Sequence, residues 1–432
     1  MLKRKIESTL KEWKETKKNE CLLVKGARQV GKTFIIKKFG KENYKSFIYI
    51  NFVENEDYKQ IFENSLNADE IYKKISIYIS GAEFIEKNTL IFLDEIQECP
   101  NARTALKFLA IDDKYDVIAS GSLLGINYKS ISSIPVGYER QIEMHALDFE
   151  EFLWAVGKNQ MAIDYLKEFF TSLNHLDNSI NNEFMNLVKS FMVVGGMPSV
   201  VNTFLGTNNY QTTHNEQEKI LSSYIADIEK YATINEKQKI KNCYFSIPRQ
   251  LAKENKKFQY KTVTPDGTGK KYENSLDWLV DASLIKLCHN VSTPLFPLVA
   301  YEKVEQFKVY ATDIGLLTCM YGLELQLSIL KDTLQGPAKG GIFENLVFDI
   351  LNKNGHKLNY YKTENSEQEI EFLITKNSAV IPIEVKSKNG ATLSLNTFMQ
   401  KFNPPYAYKL IDGNLGQADK KITLPLYMAM FI

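Results

Sequence analysis

The chain has 432 residues, 44% of them hydrophobic and 24% charged, with a formal net charge of +1. That length is too great for one ordinary core, so roughly two to four domains are expected, and the near-zero charge leaves nucleic-acid contact to a local patch. The five cysteines, Cys21, Cys99, Cys243, Cys288 and Cys319, are scattered with no C-x-x-C spacing, which excludes a zinc ribbon or a dithiol redox pair and fits a reducing compartment. Neither a signal-peptide core nor a run of about 18 apolar residues is present, so the expected location is the cytoplasm, with no membrane span.

Residues 5–19 read as a charged helix, and 20–25 as a short apolar strand followed by a glycine loop and a helix to about Phe39. Further apolar strands are expected at 46–52, 89–93 and 116–119, separated by helical segments. This alternation predicts an α/β domain with a parallel sheet over about 1–150. A helix-rich stretch, interrupted by the turn Gly195-Gly196-Met197-Pro198, predicts a helical lid or connector over 151–230. Short helices followed by strands predict a winged-helix-like module over 231–330, with a basic run through Arg249, Lys253, Lys256, Lys257, Lys261, Lys270 and Lys271. Lysines of this kind contact phosphates without reading sequence, and a solvated loop is the more common explanation of such a run. The last segment, 331–432, returns to α/β, with a helix over 341–354 and strands over 358–362, 369–374 and 380–385.

Gly26-Ala27-Arg28-Gln29-Val30-Gly31-Lys32-Thr33 matches G-x-x-x-x-G-K-[ST] between a strand and a helix, the context in which that pattern binds phosphate. Glycines let the backbone amides and the helix N-terminus face the phosphates, Lys32 supplies a charge to the β/γ oxygens, and Thr33 offers a hydroxyl to Mg²⁺. The strand over 89–93 runs into Asp94 and Glu95, which puts Asp94 beside the magnesium shell and makes Glu95 the natural base for water. Ser120, ending the strand over 116–119, suits a γ-phosphate sensor, although serine and glycine after a strand also serve simply as a turn. Arg140 is the candidate arginine finger, in cis or from a neighbouring subunit, and is equally well an ordinary surface arginine.

These segments together resemble a known family. Gly-Ala-Arg-Gln-Val-Gly-Lys-Thr, Phe92-Leu93-Asp94-Glu95-Ile96-Gln97, Ala119-Ser120-Gly121-Ser122 and Leu147-Asp148-Phe149-Glu150-Glu151-Phe152-Leu153 resemble the bacterial and archaeal AAA+-type ATPases with a C-terminal DUF4143 domain. The likeness extends through Val194-Gly195-Gly196-Met197-Pro198, the segment from Lys308 to Leu317, and Gly341-Ile342-Phe343-Glu344-Asn345. It implies a P-loop NTPase (AAA+-like) domain, a winged-helix-like middle and a restriction-endonuclease-like C-terminal α/β domain.

In that last domain, Glu384-Val385-Lys386 closes a strand with acid and lysine on one face, Glu371 lies on the preceding strand, and Glu344 lies on the helix before both. The order resembles the PD-(D/E)XK nuclease fold. The resemblance implies that Glu371 and Glu384 hold a second metal, with Lys386 orienting water and Glu344 completing the cluster. That pattern most often carries aspartate where Glu371 stands, and the extra methylene displaces a ligand in a site that tolerates little misplacement. The reading is an ATP- and Mg²⁺-dependent ATPase acting as a DNA-associated nucleotide-gated switch. An ATP-regulated DNA nuclease and a nucleotide-controlled protein scaffold are the alternatives, and a protein partner and a homo-oligomer stay open.

Overall fold

A computed structural model describes residues 1–122, 137–365, 368–387 and 392–432, and the chain divides into two compact units. The first unit comprises Arg4–Ala146 with Asp281–Ser283. Among its described residues, five strands, β1 (Cys21–Lys25), β2 (Ser46–Asn51), β3 (Thr89–Asp94), β4 (Asp116–Gly121) and β5 (Glu139–Glu143), form one sheet in the order β2-β3-β4-β1-β5, parallel throughout. All six residues of β3 and all six of β4 are buried, as both faces of a helix-covered parallel sheet require. The edge strand β5, Glu-Arg-Gln-Ile-Glu, has no apolar run, which is why sequence reasoning found four of these strands and not the fifth.

The helix Lys32–Asn43 starts at Gly31, whose left-handed backbone favours glycine. Pro100 opens the helix Pro100–Asp112 at a position where no amide hydrogen is needed, and Asn67 caps Ala68–Tyr78 through the amides of Asp69 and Glu70. One face of the sheet, including Ile48, Ile50, Ile91, Leu93 and Val117, packs against Ile71, Ile75, Ala102, Leu106 and Leu109 in a continuous core.

The second unit comprises Met1–Lys3, Leu147–Val280 and Leu284–Ile432. Helices Phe149–Ala155, Gln160–Ser172, Asn178–Val194, Pro198–Thr207 and Tyr210–Tyr231 come first, then Ile234–Leu251, Tyr260–Val263 and Gly269–Asp281. Strands β6 (Ile285–Val291), β7 (Glu302–Ala311), β8 (Asn359–Lys362), β9 (Glu369–Lys376), β10 (Ala379–Lys386), β11 (Ala407–Ile411), β12 (Gly416–Ala418) and β13 (Lys421–Pro425) form one sheet, ordered β12-β13-β11-β10-β9-β8-β6-β7. The hairpin β6–β7, expected within a separate middle module, is thus hydrogen-bonded into the C-terminal sheet through β6 and β8. Among the described residues no helix is long and apolar enough to cross a membrane.

Candidate nucleotide site

Parallel pairing sets the strand ends of the first unit level. Lys25 lies beside Gly121, Val24 beside Ser120, and Asn51 beside Asp94, so the glycine loop leaves β1 next to the ends of β4, β3 and β2. Gly26 cannot carry a side chain, because a Cβ there would lie 2.1 Å from the Met144 carbonyl oxygen just past β5. Gln29 and Gly31 both take positive φ, 67° and 98°, and between them turn the chain into the helix.

Lys32 is buried, and its Nζ donates to the carbonyls of Gly26 at 2.9 Å and Ala27 at 2.8 Å. Burial lowers its pKa to about 8, against the opposing pull of Glu95 and Asp94. Thr33 Oγ1 donates to Asp94 Oδ2 at 2.7 Å. The Asp94 carboxylate also accepts from Ser120 Oγ, from the Glu95 amide at 3.1 Å, from Tyr49 Oη at 3.2 Å and from Asn51 Nδ2 at 3.4 Å.

Lys32, Thr33, Asp94 and Ser120 therefore converge on one sheet edge. Glu95 follows directly with a left-handed backbone (φ 54°), and Gln97 Nε2 donates to its carboxylate. Residues other than glycine pay about 1 kcal/mol for that conformation, and here the cost falls at the turn that ends β3.

Tyr49 and Asn51 were not among the candidates. They stand two apart at the end of β2, so both side chains leave one face beside β3, and Asn51 Nδ2 also donates to Tyr49 Oη at 2.8 Å. The available signal was two polar side chains at alternate positions where an apolar strand ends. Lys37 lies over the Tyr49 ring, 3.5 Å from its centroid, and burial raises the Tyr49 phenol.

Arg140 is placed elsewhere. It lies beside Leu22 in the β1–β5 register and pairs with Glu20 at 2.6 Å, so about four strand residues, roughly 13 Å, separate its level from Gly26. Within one chain it is not brought to the phosphate loop. A second arginine, Arg103, is buried and pairs through both terminal nitrogens with Glu139, tying the helix Pro100–Asp112 to β5.

The donor set fits a magnesium–nucleotide. A hydroxyl and a carboxylate oxygen in contact suit a hard cation, and Lys32 with the N-terminus of a 12-residue helix suits phosphate.

In the second unit Lys386 Nζ lies 3.6 Å from Glu371 and 3.4 Å from Glu384, and the Val385 amide donates to Glu371 at 3.3 Å. Burial raises Glu371 to about 7 and also raises Glu384, whose Oε2 is buried without a hydrogen-bond partner. Glu344 is engaged differently. Lys308 meets its Oε1 at 2.7 Å, Lys256 its Oε2 at 3.0 Å, and Tyr310 donates to Oε1. Lys308 also meets Glu369 at 2.7 Å, and Lys362 meets the other oxygen of Glu369 at 2.7 Å. Among the described residues no group of three acids, histidines or cysteines is arranged to hold a metal. Glu371, Glu384 and Lys386 are thus brought together, but Glu344 is occupied by two lysines and a tyrosine.

An AAA domain model matches residues 18–153, and a DUF4143 model, a domain of unknown function, matches 339–428. Two segments of the chain thus match an AAA domain and a DUF4143 domain. A further domain of unknown function, DUF8612, matches 185–327 of the chain. No curated protein sequence matches it. Among solved structures it is similar to the Walker-type ATPase PABY2304 of Pyrococcus abyssi, at 13% identity over 74% of this chain and 96% of that one, with a TM-score of 0.43. The Aeropyrum pernix ORC1 protein in complex with DNA is 11% identical over 76% of this chain and 95% of its own, at a TM-score of 0.31. Cdc6p from Pyrobaculum aerophilum is 12% identical over 76% and 93%, at 0.26.

Proposed function

We propose that the AAA unit binds and hydrolyses MgATP. The observation that carries this reading is the contact of Thr33 with Asp94 at the edge where the Lys32 loop leaves the sheet. Lys32 and the helix N-terminus bind the β/γ phosphates, Thr33 and Asp94 hold magnesium, and Ser120 fixes the Asp94 carboxylate from β4. Magnesium, when bound, neutralises charge that develops on the phosphate oxygens. Glu95 takes the proton from attacking water, and Gln97 orients its carboxylate. Lys32→Ala is expected to abolish nucleotide binding, whereas Glu95→Gln keeps binding and loses turnover. Equal hydrolysis by both variants and the wild type would overturn these roles.

We extend the reading to a nucleotide-gated switch with a DNA-facing module. The order of helices Ile234–Leu251, Tyr260–Val263 and Gly269–Asp281 followed by the hairpin β6–β7 supports a winged-helix-like arrangement. Arg249, Lys261 and Lys270 are exposed there, but so are Glu273 and Asp277 on the third helix, which favours sparse, salt-sensitive phosphate contact over base reading. Duplex binding measured at rising salt with ATP and with ADP tests it; affinity independent of both would remove DNA and leave a protein scaffold. The occupied Glu344 argues against the nuclease alternative.

A further inference from the structure

We propose that Arg4 is a positioning residue of the nucleotide loop, holding the peptide between Val30 and Gly31 so that the Gly31 amide faces the phosphates. The proposal rests on the MgATP reading and names a residue outside the phosphate-binding motif. Arg4 is only 8% exposed, although it lies near the start of the chain. Its Nη1 donates to the Val30 carbonyl at 3.1 Å, and its Nη2 donates to the His145 carbonyl at 2.6 Å.

A trans peptide points its carbonyl and its N–H in opposite directions. With the Val30 oxygen drawn to the guanidinium, the Gly31 N–H of the same peptide points the opposite way, away from Arg4. Gly31 itself does not impose this orientation. At φ 98° and without a Cβ it tolerates rotation of the adjoining peptide at little steric cost, so an outside group must select one orientation.

The other end of the Arg4 bridge is also anchored. The Met144 amide donates to the Lys25 carbonyl at 2.7 Å, and the Met144 oxygen fills the space where Gly26 would carry a side chain. The segment leaving β5 therefore fastens the start of the loop directly and its later part through Arg4. A planar guanidinium can serve two carbonyls at once from fixed positions, whereas the single ammonium of lysine is a mobile point charge. The recognised group is the polyphosphate of a nucleoside di- or triphosphate, since backbone amides at a helix N-terminus select that chemistry.

The test measures MgADP binding and steady-state ATP hydrolysis for wild type, Arg4→Met and Arg4→Lys, with Lys11→Met as an exposed-cation control from the same N-terminal segment. Arg4→Met is expected to weaken MgADP about tenfold or more and to raise KM with kcat nearly unchanged, the loss that one charged hydrogen bond supports. Arg4→Lys should recover part of the affinity, and Lys11→Met should bind and hydrolyse as the wild type does. If Arg4→Met fails to fold, Arg4→Lys alone decides. Wild-type MgADP affinity and KM in the folded Arg4 variants would overturn the proposal, as would a loss confined to kcat. A wild-type protein that binds no nucleotide would instead overturn the MgATP reading itself.

Discussion

Replacing Lys308 by methionine removes a buried cation that meets both Glu344 and Glu369, while keeping its stem. Lys308 is 1% exposed and Glu344 2%, so the change leaves the Glu344 carboxylate where water cannot reach to solvate it, while Glu369 is partly exposed. Breaking a buried pair from one side costs about 3–5 kcal/mol. The lower figure applies, because Glu344 keeps Lys256 and Tyr310, and Glu369 keeps Lys362. About 3 kcal/mol corresponds to roughly 6 °C in the unfolding midpoint of a unit this large.

The acid limb of the same experiment is informative. Burial alone would raise the Glu344 carboxyl, but Lys256 and Lys308 outweigh it and hold the group near 2. A depressed carboxyl contributes stability that is present above its ordinary value of 4.5 and is lost as pH falls towards 2. In Lys308→Met that loss should begin at higher pH. Thermal and urea unfolding at neutral and acid pH measure both effects, and the added change Glu344→Gln should recover part of the deficit. Wild-type midpoints at both pH values in Lys308→Met would refute the claim that the buried ammonium holds this sheet together.

Asp349 carries the opposite sign: burial raises it to about 7 against the pull of Lys353, with Asp313 and Asp148 adding to the rise. Its contribution is present below the ordinary 3.8 and lost as pH rises through 7, so Asp349→Asn should gain stability over wild type between those values; a difference constant with pH would refute this. Gly26→Ala drives a methyl onto the Met144 oxygen and should abolish nucleotide binding while the C-terminal unit keeps its own unfolding transition, both read by titration and calorimetry. Arg103→Met takes the guanidinium from the Glu139 carboxylate, to which Gln141 still donates, and should cost the first unit about 3 kcal/mol by urea unfolding.

The phosphate loop and β3 were legible because their chemistry is local in sequence: a glycine spacing, and an apolar strand ending in acid. Tyr49, Asn51 and Arg4 were not, since each acts across pairings of distant residues, β2 to β3 in one case and residue 4 to residues 30 and 145 in the other. The Gly195-Gly196 turn was visible, but its physical cause was not. A Cβ on Gly196 would lie 2.1 Å from the Leu147 oxygen, one on Gly315 would lie 2.5 Å from the Gly195 nitrogen, and Asp313 accepts from the Gly196 amide at 2.7 Å. Three motifs that read as separate in the chain are one close backbone contact. The basic run shows the reverse error of scale, because Lys256, counted as a surface charge, is spent on Glu344.

The two acidic centres differ in what a cation would have to displace. The hydrogen-bond donors to Asp94 are all neutral: three side-chain hydroxyls, an amide side chain and a backbone amide. Hydroxyls can turn their protons away and present lone pairs, so magnesium can enter beside Thr33 without expelling a charge. At Glu344 the donors are two ammonium groups and a phenol, and a metal taking their place would leave Lys308 charged in a site almost closed to water. Carboxylates alone therefore do not make a metal site. What already neutralises them decides whether a cation can bind, and that distinction separates the Asp94 edge of the first sheet from the Glu344 face of the second.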